Sequence, residues 1–259
     1  MIEQEIKLQG FELYPNIYFV GNERVSVHII DTAKGLVMID TGYPDMYDII
    51  MENIAKMGIC AKDICAIFHS HGHIDHFGCT REIAALSGAK TYISRIDNDI
   101  LNGKLDLSWA RELGYEPIPT FSCDVLIEDG DIFDFGDTGI RCVHTPGHTD
   151  GVMSFFITLP DGKIAAMHGG GGINTQKSEF LNRYGLSFDC RRKFRESLDK
   201  VRDERVDVIL GNHPEQTGTL EKMVKVLAGE TDVFERGEWD VLLGKLERAI
   251  NKICETDPE

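Results

Sequence analysis

The sequence predicts an α/β fold of layered sheets covered by helices, and three observations predict it. Short runs of β-branched and aromatic residues alternate with amphipathic helical stretches. The early runs are separated only by turns, which adds antiparallel hairpins to the alternation. No low-complexity tract, charge block or Pro- or Ser-rich linker interrupts residues 1–259, so they are expected to form a single domain.

The elements follow in order. Asn16–Gly21, Val25–Asp31 and Gly35–Asp40 read as strands. A helix follows with Met46, Ile49, Ile50, Ile54 and Met57 on one face and Gly58 as its stop. Ile64–Phe68 is a short apolar strand, then a polar cluster leads into a second helix near Phe77–Leu86 that ends at Gly88. Tyr92 and Ile93 begin another strand. The pattern weakens from Asp97 to Thr120, where Pro117 and Pro119 break it, and a short helix with a surface loop is expected. Strands resume at Val125–Glu128, Ile140–Val143, Val152–Thr158 and Lys163–Met167. A polar insert containing Asn182, Arg183 and Tyr184 precedes a helix carrying Phe194, Leu198 and Val201. The apolar strand Val206–Leu210 separates it from a helix N-capped by Thr219 and bearing Leu220, Met223, Val224 and Leu227. A final helix carries Trp239, Leu242, Leu243, Leu246, Ile250 and Ile253.

Composition narrows the function. Lys and Arg number 27 against 43 Asp and Glu, a formal charge of −16, which argues against nucleic acid and anionic membrane surfaces as partners. A small-molecule substrate is the expected partner, and the sequence leaves the oligomeric state open. No apolar stretch is long enough to span a bilayer, and Met1-Ile-Glu-Gln-Glu-Ile-Lys7 lacks the basic start and apolar run of a secretion signal. The seven cysteines are odd in number and form no CxxC pair, so a reducing cytoplasm is the expected location.

The chemistry lies in the histidines. Four of the nine fall within eight positions, His69-Ser-His71-Gly-His73-Ile-Asp75-His76, directly after a buried strand. A lone histidine is more often a surface or satisfied core residue, but this cluster supplies the imidazoles and carboxylate that hydrolytic zinc sites use. In extended backbone His71 and His73 point the same way; Asp75 and His76 diverge as the helix begins, so one segment can serve two metals. Two further strands run into histidine-bearing loops, His144-Thr-Pro-Gly-His148-Thr and Gly211-Asn-His213-Pro214. Such loops converge beyond the carboxyl ends of strands in an α/β sheet, and Gly72, Gly147 and Gly211 supply their tight turns.

These residues, with Val37-Met-Ile-Asp40-Thr-Gly42, resemble the metallo-β-lactamase superfamily along nearly the whole chain. The resemblance implies an αββα four-layer sandwich with a metal cleft at one sheet edge. It implies that His71, His73 and His148 hold one metal and that Asp75 and His76 hold a second. Asp40 would orient a ligand imidazole, or serve only as a turn residue before Gly42. Most superfamily hydrolases place a metal-bridging Asp after the strand matching Lys163–Met167, whereas this sequence reads His168-Gly-Gly-Gly-Gly172. That departure is similar to the third (B3) subclass, where a late His-Pro pair completes the second metal; His213-Pro214 matches it. The implied cofactors are two zinc ions per chain. The implied reaction is attack of a metal-bound hydroxide on an amide or ester carbonyl, most like β-lactam hydrolysis. A cytoplasmic lactonase, thioesterase or other ester hydrolase is the alternative.

Asp75 is a candidate to accept a hydrogen bond from the attacking hydroxide. His168 is a candidate catalytic group, with a ligand or strand-end residue as the other readings. Asn182 and Tyr184 are candidates to contact substrate. His28, His69 and His144 are expected to be structural or supporting. The glycines after His168 lack a Walker-type Lys-Ser/Thr pair, which argues against a phosphate cradle and for a close-packed or floppy loop under substrate. A flavodiiron-like redox role is set aside because His73 stands where that pattern has Glu.

Overall fold

The computed structural model describes residues 7–257. The amino-terminal segment read for a secretion signal lies, apart from Lys7, outside the described residues. A seven-stranded sheet runs in simple order: β1 (Phe11–Tyr14), β2 (Ile17–Phe19), β3 (His28–Thr32), β4 (Gly35–Ile39), β5 (Ile64–Phe68), β6 (Lys90–Ser94) and β7 (Val125–Ile127). Its first three pairings are antiparallel hairpins and the rest are parallel. The second sheet contains β8 (Ile132–Asp134), β9 (Gly139–His144), β10 (Met153–Thr158), β11 (Ile164–Met167) and β12 (Val208–Leu210), in the order β12-β11-β10-β9-β8.

The period of two along each strand sorts side chains between two apolar layers. In β4, Val37 and Ile39 face the other sheet, while Leu36 and Met38 face the helices α1 (Tyr47–Lys56) and α3 (Thr80–Ser87). In β10 and β11, Phe155, Ile157, Ala165 and Met167 enter the core between the sheets. Phe156 and Ala166 turn outward onto α6 (Asp189–Lys200) and α8 (Glu238–Thr256). The layers are therefore helix, sheet, sheet, helix, the αββα sandwich. Every apolar residue expected on the last helix is buried there.

Several expectations needed correction. The sequence reading missed β1, a short strand before Pro15, and β8, an edge strand whose Ile132 is exposed. The second expected helix is broken into α2 (Ile74–Phe77) and α3, because Gly78 passes against the backbone of Gly42 to Pro44. Asn182–Tyr184 belong to a helix, α5 (Ser178–Tyr184), rather than a loop. The cap of α7 (Thr219–Leu227) is Gly218, so Thr219 is already helical and buried. The short helix expected after Asp97 is α4 (Asn98–Leu101). All seven cysteines are unpaired. No helix among the described residues is long and apolar enough to cross a membrane.

Candidate metal centre

The carboxyl ends of β4, β5, β9, β11 and β12 open at one edge of the sandwich, and the loops leaving them carry the histidines. Two donor groups form there. His71, His73 and His148 make the first; Asp75, His76 and His213 make the second; within each, the ligand atoms lie within 4.8 Å of one another. The groups adjoin, with the rings of His71 and His76 centred 4.1 Å apart.

The surroundings fix the direction of four imidazoles through Nδ1. His71 Nδ1 donates to Gly169 O at 2.8 Å and His148 Nδ1 to Gly172 O at 2.6 Å. His76 Nδ1 donates to Asp40 Oδ2 at 2.8 Å, and His213 Nδ1 to Arg24 O at 2.9 Å. Each ring therefore turns its Nε2 inward. His71 Nε2 and His148 Nε2 lie 3.1 Å apart. With both protons on Nδ1, that contact sets two lone pairs face to face, which is favourable only with a cation between them. The donor chemistry fits a divalent transition metal.

Charge follows from this packing. Burial, and then the neighbouring His76 and His148, lower the His71 pKa well below its ordinary value; burial and His73 do the same for His148. Both rings are therefore neutral and able to ligate. Burial alone would raise the Asp75 pKa, but His76 and His213 hold it well below the usual carboxylate range. Burial would lower the His76 pKa, but Asp75 and Asp40 outweigh it and raise it to about 10. The Tyr43 hydroxyl is pushed up to about 12 by burial and by the Asp75 charge, and so stays protonated beside that carboxylate.

Asp40 proves to be an orienting residue. It sits at φ +59°, holds His76, and accepts from the Ser70 amide at 2.7 Å and its hydroxyl at 2.8 Å. Gly169 stands where a bridging Asp would be. A Cβ there would lie 1.9 Å from Met153 O, so the backbone as folded admits no side chain at this position. A Cβ on Gly172 would come within 2.8 Å of the His148 ring. The glycine run thus lets carbonyls approach the imidazoles closely enough to orient them.

Three expected site residues lie elsewhere. His168 is two positions after Ala166 on β11 and shares its outward face. Its buried ring rests against Phe194 and Trp239, with centroids 6.2 and 6.4 Å away, and burial lowers its pKa to about 4. The expected catalytic role for His168 is therefore corrected: strand alternation turns it away from the cluster. Asn182 is exposed on α5, and the Tyr184 hydroxyl donates to Glu112. The helical turn instead sends Phe180 and Leu181 toward the metal cleft. His28, His69 and His144 are structural: they bond Gly211 O, Tyr92 O with Thr80 Oγ1, and Asp150 O respectively.

Sequence reasoning also missed three contributors. Trp109 stacks on His73 at 5.5 Å from a backbone at φ +63°, inside the stretch where no pattern was visible. Asp97 is buried and accepts from the Gly72 amide at 2.9 Å and the Thr149 hydroxyl at 2.6 Å, joining the turns that carry His71, His73 and His148. Asn212 donates to Ser70 Oγ and Gly169 O, each at 3.3 Å. The position of Asn212 beside His213 was the one available signal.

Comparison with known proteins defines the class. The family model of the metallo-beta-lactamase superfamily matches residues 20–166, and the chain belongs to that superfamily of hydrolases. It is similar to a metallo-β-lactamase from Cronobacter sakazakii, with a TM-score of 0.84 and 25% identity over 96% of this chain and 89% of that one. It is also similar to a subclass B3 metallo-β-lactamase of Bradyrhizobium japonicum, with a TM-score of 0.80 and 26% identity over 96% of this chain and 94% of that one. The similarity to the third subclass thus extends from the motifs to whole structures. A hydroxyacylglutathione hydrolase of Maricaulis maris is 32% identical over 133 residues, which cover 51% of this chain and 42% of that protein.

Proposed function

We propose that the protein is a binuclear zinc hydrolase that opens an amide or ester carbonyl, with β-lactams as the first substrate class to consider. The observation that carries this reading is the pair of adjoining donor groups, His71, His73, His148 and Asp75, His76, His213, with inward-facing Nε2 atoms. Two zinc ions held there would supply Lewis acidity toward the carbonyl and lower the pKa of water toward neutrality. The protein residues do the rest. The ionised Asp75 accepts a hydrogen bond from the attacking water, and Tyr43 keeps its proton and steadies that carboxylate. Asp40 and the Gly169 and Gly172 carbonyls keep the imidazoles in one tautomer through the cycle. No serine or cysteine nucleophile is required.

Two features support the comparison with subclass B3: Gly169 in place of a carboxylate, and His213 completing the second group. The sequence similarity to a hydroxyacylglutathione hydrolase supports the second reading, hydrolysis of a lactone, thioester or other ester on the same residues. The test is a panel on zinc-reconstituted protein: a chromogenic cephalosporin, lactones of several ring sizes and acyl thioesters. Cephalosporin turnover above that of every ester supports the first reading, and the reverse order the second. No turnover of any member with two metals bound would overturn both.

A further inference from the structure

Beside the first donor group lies a recess of about 130 Å³, walled by Ile100, Leu107, Phe180, Leu181 and Leu186. His73 and His148 border it, and none of Asp75, His76 or His213 does. Ile96 and Leu105 also line it, and both are large apolar side chains left about half exposed, at 45% and 43%. Its polar members are already engaged. Asp97 Oδ2 accepts from the Gly72 amide and the Thr149 hydroxyl, and Lys193 pairs with Asp150 at 2.8 Å. Nothing in the recess offers an unpaired cation to an anionic group, and Asp97 and Asp150 would oppose one.

We infer that this recess is a subsite for an uncharged, aliphatic or aryl group on the acyl side of the scissile bond. The inference rests on the hydrolase reading above. We extend that reading by one assignment: a metal held by the first donor group would polarise the carbonyl, and one held by the second would receive the leaving group. A recess bordered by the first group alone must then hold the part of the substrate that stays with the carbonyl. Its size sets the occupant, since an apolar cavity of about 150 Å³ accepts benzene. This one suits about five or six carbons. Substrates carrying only a small or charged acyl substituent would leave it unfilled.

The experiment is a series of straight-chain nitrophenyl esters, acetyl to octanoyl, hydrolysed by the zinc-loaded protein. Each buried methylene should raise kcat/KM about fourfold, with the rise ending near six carbons. Leu186→Trp and, at the exposed lip, Leu105→Trp should flatten that slope or move its end to shorter chains. A flat slope with measurable turnover would overturn the subsite and leave the hydrolase reading intact. In a companion series of acetate esters of straight-chain alcohols, a slope that follows the alcohol rather than the acyl chain would overturn the assigned direction. If no ester is turned over, the hydrolase reading is in question, and calorimetry decides the subsite separately. Hexanoate should bind the zinc-loaded protein about two-hundredfold more tightly than acetate, and equal affinities would overturn the inference.

Discussion

Replacing His168 by leucine should make the protein more stable, and more so in acid. The His168 ring is buried among Phe194, Trp239 and the helices that cover β11. Its Nδ1 accepts a long hydrogen bond from the Gly170 amide at 3.4 Å, which leaves the proton on Nε2, where it has no acceptor among the described residues. A buried donor without a partner costs about 1–3 kcal/mol, and leucine fills a similar volume without that donor. Burial also lowers the His168 pKa from 6.5 to about 4. The neutral ring therefore contributes stability that is fully present above the unfolded value and is lost as pH falls from about 6.5 toward 4. Between about pH 7 and pH 4.5 this one residue should remove about 2.5 kcal/mol. Urea unfolding of both proteins at the two pH values isolates the effect, because the other buried histidines are common to both. The expected result is a leucine variant about 1 kcal/mol or more stabler near neutrality, with a gap that widens in acid. Bound metal and kcat should be unchanged. Parallel pH profiles would refute the burial reasoning, and lost metal or activity would restore His168 to the active site.

Four further outcomes test the metal centre. His148→Ala should lower kcat at least about a hundredfold, because removing one first-group ligand weakens a Lewis acid that contributes several kcal/mol; steady-state kinetics with metal analysis checks this. His213→Ala should retain about one zinc per chain by elemental analysis and keep near-native thermal stability while losing most activity; two retained zincs would remove His213 from the second group. Asp40→Ala, which frees His76 and Ser70, should weaken the second metal by about 10–100-fold in a competition titration with a chromophoric chelator. Gly169→Asp should not create a bridging ligand: its Cβ would lie 1.9 Å from Met153 O, so thermal melts should show a loss of about 1–3 kcal/mol or more.

The sequence by itself determined what local spacing determines. His71-Gly-His73-Ile-Asp75-His76 places four donors at one strand-to-helix turn, because side-chain direction there follows from backbone period alone. The alternation of strands and helices likewise determined the layers, since each element has one apolar face to bury. What lay beyond a few residues was decided by tertiary structure. His168 adjoins the glycine loop in sequence, yet the register of β11 against β10 turns it toward the helices. Asn182 and Tyr184 looked like substrate contacts in a loop, but helical geometry turned Phe180 and Leu181 inward instead. Asp40 was ambiguous until the fold brought its carboxylate to His76, 36 positions away. Trp109 and Asp97 lie in a stretch with no periodic pattern, because they are held by contacts with His73, Gly72 and Thr149 rather than by a regular element. Local period assigns each side chain a face, and only the packing of distant elements decides what that face meets.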